Sequence, residues 1–183
     1  MNDDCPVFIV GPPGSGKSAV GQRLARLLDR RFVDTDREVE DRCGVDIAYI
    51  FEKEGEPGFR KREHEALADL AAKPGHVIAT GGGIVTRPEN MEILRTNGVV
   101  VYLQTSVDQQ FERTRHSKAR PLLHGEDPRG TLQKLMDARA PLYESIADVT
   151  CCTDGQRVNQ VANDIHASLE NIELKKKPVP CTR

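Results

Sequence analysis

Short runs of apolar residues alternate along the chain with longer segments in which apolar residues recur every three or four positions. The first run, from Val7 to Val10, is uninterrupted, as is typical of a strand buried on both faces of a parallel sheet. From Lys17 onward, Val20 and Leu24 begin a spacing that predicts an amphipathic helix packed on that sheet. The chain therefore starts with a predicted strand, a glycine-rich turn and a helix.

The same alternation continues to about residue 169. Further strands are predicted at residues 32–33, 76–80, 99–103 and 149–152. Further helices are predicted at residues 36–43, 57–72, 88–96, 106–115, 131–145 and 158–169, with Ser106 as a starting cap and Gly44 as a stop. Strands that alternate with helices in this way predict an α/β fold, in which a parallel sheet carries helices on both faces.

The composition is that of an ordinary globular chain. Of the 183 residues, 38% are hydrophobic and 30% are charged, and the formal net charge is −2. A charge so close to zero gives no general attraction to nucleic acid or to an anionic membrane, so we expect neither as a partner. The length fits one domain, which we predict at residues 1–173.

The terminal segments and the cysteines bear on where the protein works. The first residues are acidic where a signal peptide needs bases, and no apolar run approaches the ~20 residues of a membrane-spanning helix. The five cysteines lack the C-x-x-C spacing of zinc sites, so we expect reduced thiols and a cytoplasmic protein. Residues 174–183 carry four basic residues and two prolines, which predicts a disordered tail; without interleaved aromatic residues, nucleic-acid binding by it is disfavoured.

Residues 11–18 read Gly-Pro-Pro-Gly-Ser-Gly-Lys-Ser and match the phosphate-binding pattern G-x-x-x-x-G-K-[ST] in full. The glycines let backbone N–H groups surround phosphate oxygens, and the following helix adds its positive end. Lys17 reaches the β- and γ-phosphates, and the hydroxyl of Ser18 is a ligand for Mg²⁺. The predicted nucleotide contacts are Gly14, Ser15, Gly16, Lys17, Ser18 and Ala19. The sequence has no N-K-x-D motif for guanine, so ATP is favoured over GTP.

A pair of carboxylates, Asp34 and Asp36, follows the second predicted strand, at the edge where open parallel sheets bind ligands. At this spacing, one carboxylate could contact a metal ion while the other contacts the hydroxyl group of an acceptor. Such pairs also cap helices, and Asp36 would then be the N-cap of the helix that follows. The pair alone leaves both interpretations open.

Four more segments complete a set of motifs. They are Gly58-Phe59-Arg60-Lys61-Arg62-Glu63, Gly81-Gly82-Gly83, Arg120-Pro121-Leu122-Leu123 and Arg139-Ala140-Pro141-Leu142-Tyr143. With the P-loop and the carboxylate pair, in this order and spacing, the chain resembles the bacterial shikimate kinases from about residue 7 to residue 169. These are P-loop enzymes similar to the nucleoside-monophosphate kinases.

The resemblance implies a fold and a reaction. The fold would be a three-layer α/β/α arrangement around a five-stranded parallel sheet in the order 2-3-1-4-5. The reaction would be the Mg²⁺-dependent transfer of the γ-phosphate of ATP to the 3-hydroxyl of shikimate. This is the fifth step of chorismate and aromatic amino acid biosynthesis.

The resemblance also implies roles for individual residues. Asp36 would hold the shikimate hydroxyls and lie nearest the attacking oxygen, while Gly82 would offer its backbone. Arg60 and Arg139 would clamp the ring carboxylate, because a guanidinium group meets a carboxylate through paired hydrogen bonds. Asp34 would act on the metal through a water molecule.

Four further roles follow from the resemblance. Glu63 would orient Arg60 or a substrate hydroxyl. Arg113 would stack on one face of adenine, and the loop at residues 153–156, with Gln156, would cover the other. Residues 116–127 have the polar composition of a mobile lid. Arg120 within this lid would reach the phosphates as the site closes, and would be catalytic together with Asp36 and Lys17.

Two alternative functions remain open on the residues alone. One is a P-loop kinase for another small hydroxyl acceptor, such as gluconate or a nucleoside monophosphate. The other is a catalytically silent nucleotide-binding module that regulates a partner, which the intact phosphate-binding and carboxylate motifs disfavour. We expect an enzyme that acts as a monomer on small molecules.

Overall fold

The computed structural model describes residues 5–115 and 127–173. Its strands are β1 (Val7–Val10), β2 (Arg31–Asp34), β3 (His76–Ala79), β4 (Val99–Gln104) and β5 (Val149–Cys152). Its helices are α1 (Lys17–Leu27), α2 (Thr35–Cys43), α3 (Ile47–Ala71), α4 (Pro88–Asn97), α5 (Val107–Thr114), α6 (Pro128–Ile146) and α7 (Val158–Glu173), and a short 3₁₀ helix spans Ile84–Thr86. The predicted lid at residues 116–127, apart from Asp127, lies outside the described residues, as do Arg120 within it and the predicted tail at 174–183.

The five strands form one parallel sheet in the order β2-β3-β1-β4-β5, which confirms the predicted order. β1 lies in the centre, where Val7 is opposite Val77 of β3 and Val99 of β4. All four residues of β1 are buried, as an uninterrupted apolar run predicts for a strand covered on both faces. The carboxyl ends of β1, β2 and β3 therefore lie side by side, and each is followed by one of the predicted motifs.

Helices cover both faces of the sheet because the side chains of a strand alternate between its faces. Val7 and Ile9 pack with apolar residues of α1 and α7 on one face. Phe8 and Val10 pack with residues of α3, α4 and α6 on the other. Full burial of each such side chain stabilises the fold by about 1.5–3 kcal/mol, so the two clusters fix the helices to the sheet.

Local signals at the helix ends explain several boundaries. The Ser106 hydroxyl accepts a hydrogen bond from the Gln109 N–H (3.3 Å) and starts α5, as predicted. Helix α6 starts at Pro128, before the predicted residue 131, because Asp127 caps the N–H of Gly130 (2.8 Å). Proline is well suited to a first turn, where its missing N–H would have no helical partner. Within residues 5–115 and 127–173, no helix combines the length and the apolar character that crossing a membrane requires.

The sequence analysis predicted only the second half of α3, from Pro57 onward. The helix begins at Ile47 rather than at Pro57, because the Asp46 carboxylate caps the Tyr49 N–H (2.7 Å). It bends at Gly55, whose φ of 70° and ψ of −177° lie outside helical values. Pro57 follows directly and occupies the first turn after the bend, where proline breaks no hydrogen bond. After the bend, the second half of α3 carries Arg60 and Glu63 and packs Leu67 and Leu70 against one face of the sheet.

The bend gives a stability prediction that separates backbone conformation from packing. Gly44 (φ 69°, ψ 14°) and Gly55 both have positive φ, and a Cβ atom would meet no neighbour at Gly44 and only Pro57 Cδ at 3.5 Å at Gly55. Asparagine tolerates the first conformation but not the second, which is restricted to glycine. We expect Gly55→Asn to lower the free energy of unfolding in urea by about 1–3 kcal/mol, and Gly44→Asn to be nearly neutral. Equal losses of unfolding free energy in the two variants would show that residue 55 does not need a backbone conformation restricted to glycine.

Candidate active site

The P-loop connects β1 to α1 and closes around the ammonium group of Lys17. Lys17 Nζ donates hydrogen bonds to the carbonyl oxygens of Gly11 and Pro12, both at 2.8 Å. The ammonium group therefore lies within the loop at the carboxyl end of the central strand. A compact positive charge in this place suits contact with phosphate oxygens.

The first carboxylate of the pair joins the P-loop to β2. The Ser18 hydroxyl donates to Asp34 Oδ2 at 2.6 Å, while Asp34 Oδ1 accepts the N–H of Asp36 at 3.0 Å. Asp34, and not Asp36, is therefore the N-cap of α2. A hydroxyl and a carboxylate so close together are the hard oxygen donors that Mg²⁺ takes from proteins when phosphates supply the rest, so these residues fit the metal.

The triglycine segment, Gly81 to Gly83, follows β3 and is the segment at which the acceptor is predicted to bind. Its first N–H donates to Thr35 Oγ1 at 3.0 Å. The carbonyl oxygen of Gly82 accepts hydrogen bonds from the Tyr143 hydroxyl and from Arg139 Nη1, the latter at 3.3 Å. The segment is thus fixed from α2 on one side and from α6 on the other.

Three functional side chains pack against this bare backbone. A Cβ atom on Gly81 would collide with Glu63 Oε1 and would come within 2.7 Å of Asp36 Oδ1. A Cβ atom on Gly83 would collide with the guanidinium group of Arg60. Gly81 and Gly83 are therefore needed for the close approach of protein side chains.

Arg60 and Glu63 form an ion pair that is nearly closed to solvent. Arg60 Nη1 donates to Glu63 Oε2 at 2.7 Å, and the exposed fractions of the two side chains are 12% and 0%. Burial raises the pKa of Glu63, and the nearby charges of Arg60 and Arg139 offset this only in part. Burial would lower the pKa of Arg60, but the carboxylates of Glu63 and Glu56 outweigh it and keep the pKa above its ordinary value. Arg60 therefore stays charged.

Tyr143 is a site residue to which the sequence assigned no role. It lies one helical turn after Arg139 on α6, and its hydroxyl donates to the same carbonyl of Gly82. Its ring is fully buried and stacks on Tyr102, with centroids 5.1 Å apart. Burial raises the pKa of the Tyr143 phenol, so its hydroxyl stays protonated and can donate. The four-residue spacing from Arg139 was the available signal, because it places both side chains on one face of a helix.

The predicted adenine side is organised around Arg113. Its Nη1 donates to the carbonyl of Gly14 (3.1 Å) and to Thr153 Oγ1 (3.2 Å), and its Nη2 donates to the carbonyl of Thr153 (3.1 Å). Arg113 thus links the P-loop to the loop that follows β5. Gln156 closes that loop through its N–H, which donates to the carbonyl of Thr153 at 3.3 Å, and its side chain is exposed.

One cleft of about 280 Å³ brings most of the predicted residues together. It is lined by Gly14, Gly16, Lys17, Ser18, Ala19, Asp34, Asp36, Thr80, Gly82 and Arg113. Thr80 is an addition to the predicted set. Arg60 and Arg139 contact the triglycine segment but do not line the cleft, and neither do Ser15 and Gln156. Residues predicted to bind phosphate and residues predicted to bind the acceptor therefore face the same space.

Known proteins resemble this chain over most of its length. A family model described as shikimate kinase matches residues 13–170. The chain is 52% identical to the shikimate kinase of Hahella chejuensis over 163 residues, which are 89% of this chain and 85% of the relative. Among solved structures, it is similar to shikimate kinase from Acinetobacter baumannii in complex with shikimate, with 43% identity and a TM-score of 0.91 over 93% of this chain and 96% of that one.

The buried carboxylate of Glu63 predicts a pH-dependent stability. The folded-state pKa lies above the ordinary value of 4.5, so between the two values the folded protein holds a proton that the unfolded chain has lost. Stability from this group is therefore present below the ordinary pKa and is lost as the pH rises through the raised one. Glu63→Gln keeps an acceptor for Arg60 but does not titrate.

We expect the free energy of unfolding of the wild type, relative to that of Glu63→Gln, to fall as the pH rises. The slope should not exceed about 1.4 kcal/mol per pH unit. Urea unfolding of both proteins from pH 4.5 to pH 8 measures it. A difference that stays constant or grows with pH would contradict the raised pKa.

Proposed function

Because the chain belongs to the shikimate kinase family, we propose that it phosphorylates the 3-hydroxyl of shikimate with ATP through the residues of the cleft described above. The protein is accordingly an enzyme, a kinase of the shikimate pathway. One observation carries the assignment of residues. Lys17 from the P-loop and Asp36 and Gly82 from the acceptor side line one cleft, so donor and acceptor would meet there.

The acceptor side suits a ring that carries both hydroxyls and a carboxylate. Arg60 and Arg139 lie at the triglycine segment, where they supply two positive charges with forked N–H groups. We assign the shikimate carboxylate to these two arginines. We assign its hydroxyls to Asp36 and the backbone of Gly82.

Asp36 is the residue that we place beside the reacting hydroxyl. Phosphoryl transfer of this kind needs positioning and charge neutralisation more than a strong base. Asp36 would orient the acceptor hydroxyl and take its proton late in the transfer. Lys17 would hold the β- and γ-phosphate oxygens from within the P-loop.

The family uses ATP, generally with a divalent metal, and we propose Mg²⁺ as the ion. Ser18 and Asp34, whose side-chain oxygens are 2.6 Å apart, would hold it, directly or through water. When bound, the ion would neutralise charge on the β- and γ-phosphates.

The remaining assignments concern the outer parts of the nucleotide site. Arg113 and the loop to Gln156 would flank adenine, which their position beside Gly14 supports. Arg120 would reach the phosphates from a lid at residues 116–127, which lies almost wholly outside the described residues. We also propose that the protein is a monomer that acts on small molecules in the cytoplasm.

An acceptor panel with matched variants tests the assignment. In a coupled assay for ADP, we expect shikimate to support turnover, whereas gluconate and AMP do not. Asp36→Asn should lower kcat with shikimate by about 100-fold or more, since it removes the group that orients and deprotonates the hydroxyl. Asp41→Asn, an exposed change on the same helix, should leave kcat unchanged.

Two outcomes would count against this proposal. Turnover of gluconate or AMP without turnover of shikimate would reassign the substrate. Near-normal kcat in Asp36→Asn would remove that residue from the reaction while leaving the substrate assignment intact.

A further inference from the structure

The guanidinium group of Arg60 is shared between two carboxylates of its own helix. Its Nη1 donates to the buried carboxylate of Glu63. Its Nε and Nη2 both donate to one oxygen of Glu56, at 3.1 and 2.9 Å. The Nε and Nη2 edge of an arginine is a fork of two parallel N–H groups, which is the edge that grips a carboxylate through two hydrogen bonds. Glu56 therefore takes the position in which an acceptor carboxylate would be gripped.

Arg60 does not need Glu56 to stay in place. The ion pair with Glu63, which has no exposed surface, holds one end of the guanidinium group. The group also lies against the backbone of Gly83 and 5.2 Å from the centroid of the Phe59 ring. These contacts fix three sides of the arginine, so the fork is presented whether or not Glu56 occupies it.

Glu56 is free to leave the fork. Its side chain is 47% exposed, whereas that of Arg60 is 12% exposed, so the carboxylate of Glu56 can turn into water at little cost. A second carboxylate cannot join it on the same fork, because two like charges in contact repel each other. An arriving acceptor and Glu56 therefore exclude each other.

We propose that Glu56 competes with the acceptor carboxylate for Arg60: it occupies the fork of Arg60 until an acceptor displaces it. The inference rests on the proposed function, since it requires an acceptor carboxylate at Arg60. Displacement costs the same for any carboxylate, but an acceptor that also contacts Asp36, Gly82 and Arg139 has further contacts to offset that cost. Glu56 thus weakens the binding of every carboxylate by a similar factor, and a simple carboxylate has no further contacts that would restore its affinity.

The test is the affinity of Glu56→Gln for two carboxylates. The KM for shikimate should fall about three- to fivefold, as expected from the loss of one partly exposed ion pair, with kcat unchanged. Benzoate, a ring carboxylate without hydroxyls, should inhibit the variant at a concentration lower by a similar factor. Loss of structure would raise KM rather than lower it, so a gain in affinity cannot come from damage to the fold.

Two controls isolate the fork. Glu52 is exposed, lies on α3 and pairs with Lys53, so Glu52→Gln removes the same charge away from the fork. It should leave the KM for shikimate and the inhibiting concentration of benzoate unchanged. In the Arg60→Ala background, adding Glu56→Gln should have no effect on the KM for shikimate. Glu56→Ala, with its melting temperature measured beside that of the wild type, is the second variant if the glutamine variant folds poorly.

Each result has one meaning. An unchanged or raised KM in Glu56→Gln would overturn the inference: the first would show no competition, and the second would show that Glu56 holds Arg60 for the acceptor. If Glu56→Gln still lowered the KM for shikimate in the Arg60→Ala background, the inference would also be overturned. If the wild type releases no ADP with shikimate, the proposed function fails first, which distinguishes the two failures.

Discussion

A buried ion pair at the carboxyl edge of the sheet, between Glu63 and Arg60, fixes the geometry of the acceptor side. A carboxylate without solvent contact is costly unless a charged partner meets it, so Glu63 holds Arg60 in one position. Both side chains then lie against Gly81 and Gly83, which must remain without side chains. Arg139 and Tyr143 hold the carbonyl of Gly82 from the opposite side. The acceptor side is therefore held in one arrangement, because the Glu63–Arg60 ion pair needs the space that Gly81 and Gly83 leave free.

The order of the strands brings this acceptor side to the nucleotide side. β1, β2 and β3 are neighbours and parallel, so the P-loop, the Asp34–Asp36 pair and the triglycine segment leave the sheet at the same edge. Hydrogen bonds then join them in pairs: Ser18 to Asp34, and Gly81 to Thr35. Residues of the P-loop, the carboxylate pair and the triglycine segment line one cleft as a direct consequence.

Signals that act over a few residues were readable in the sequence, whereas contacts between distant segments were not. The apolar run of β1, the stop at Gly44 and the Ser106 cap were predicted because each depends on local chemistry. The first half of α3 was missed because the Gly-Glu-Pro sequence at residues 55–57 indicates a helix boundary, whereas the helix bends there and continues. The capping role fell to Asp34 rather than to Asp36, since α2 starts at Thr35, two residues before the start that a cap at Asp36 would give. The hydrogen bond of Tyr143 joins segments 61 positions apart; the four-residue spacing from Arg139 indicates a shared helix face, but not the carbonyl that both side chains contact.

The central claim is that this edge of the sheet selects a carboxylated acceptor through Arg60 and Arg139. Its most direct measurement compares kcat/KM for shikimate with that for the carboxamide of shikimate, which keeps the ring and hydroxyls but carries no charge. The account predicts a preference for the acid of about 100-fold or more, because the uncharged amide gives up the charge-assisted hydrogen bonds that a carboxylate would make with the two guanidinium groups. Equal values of kcat/KM for the two acceptors would contradict it.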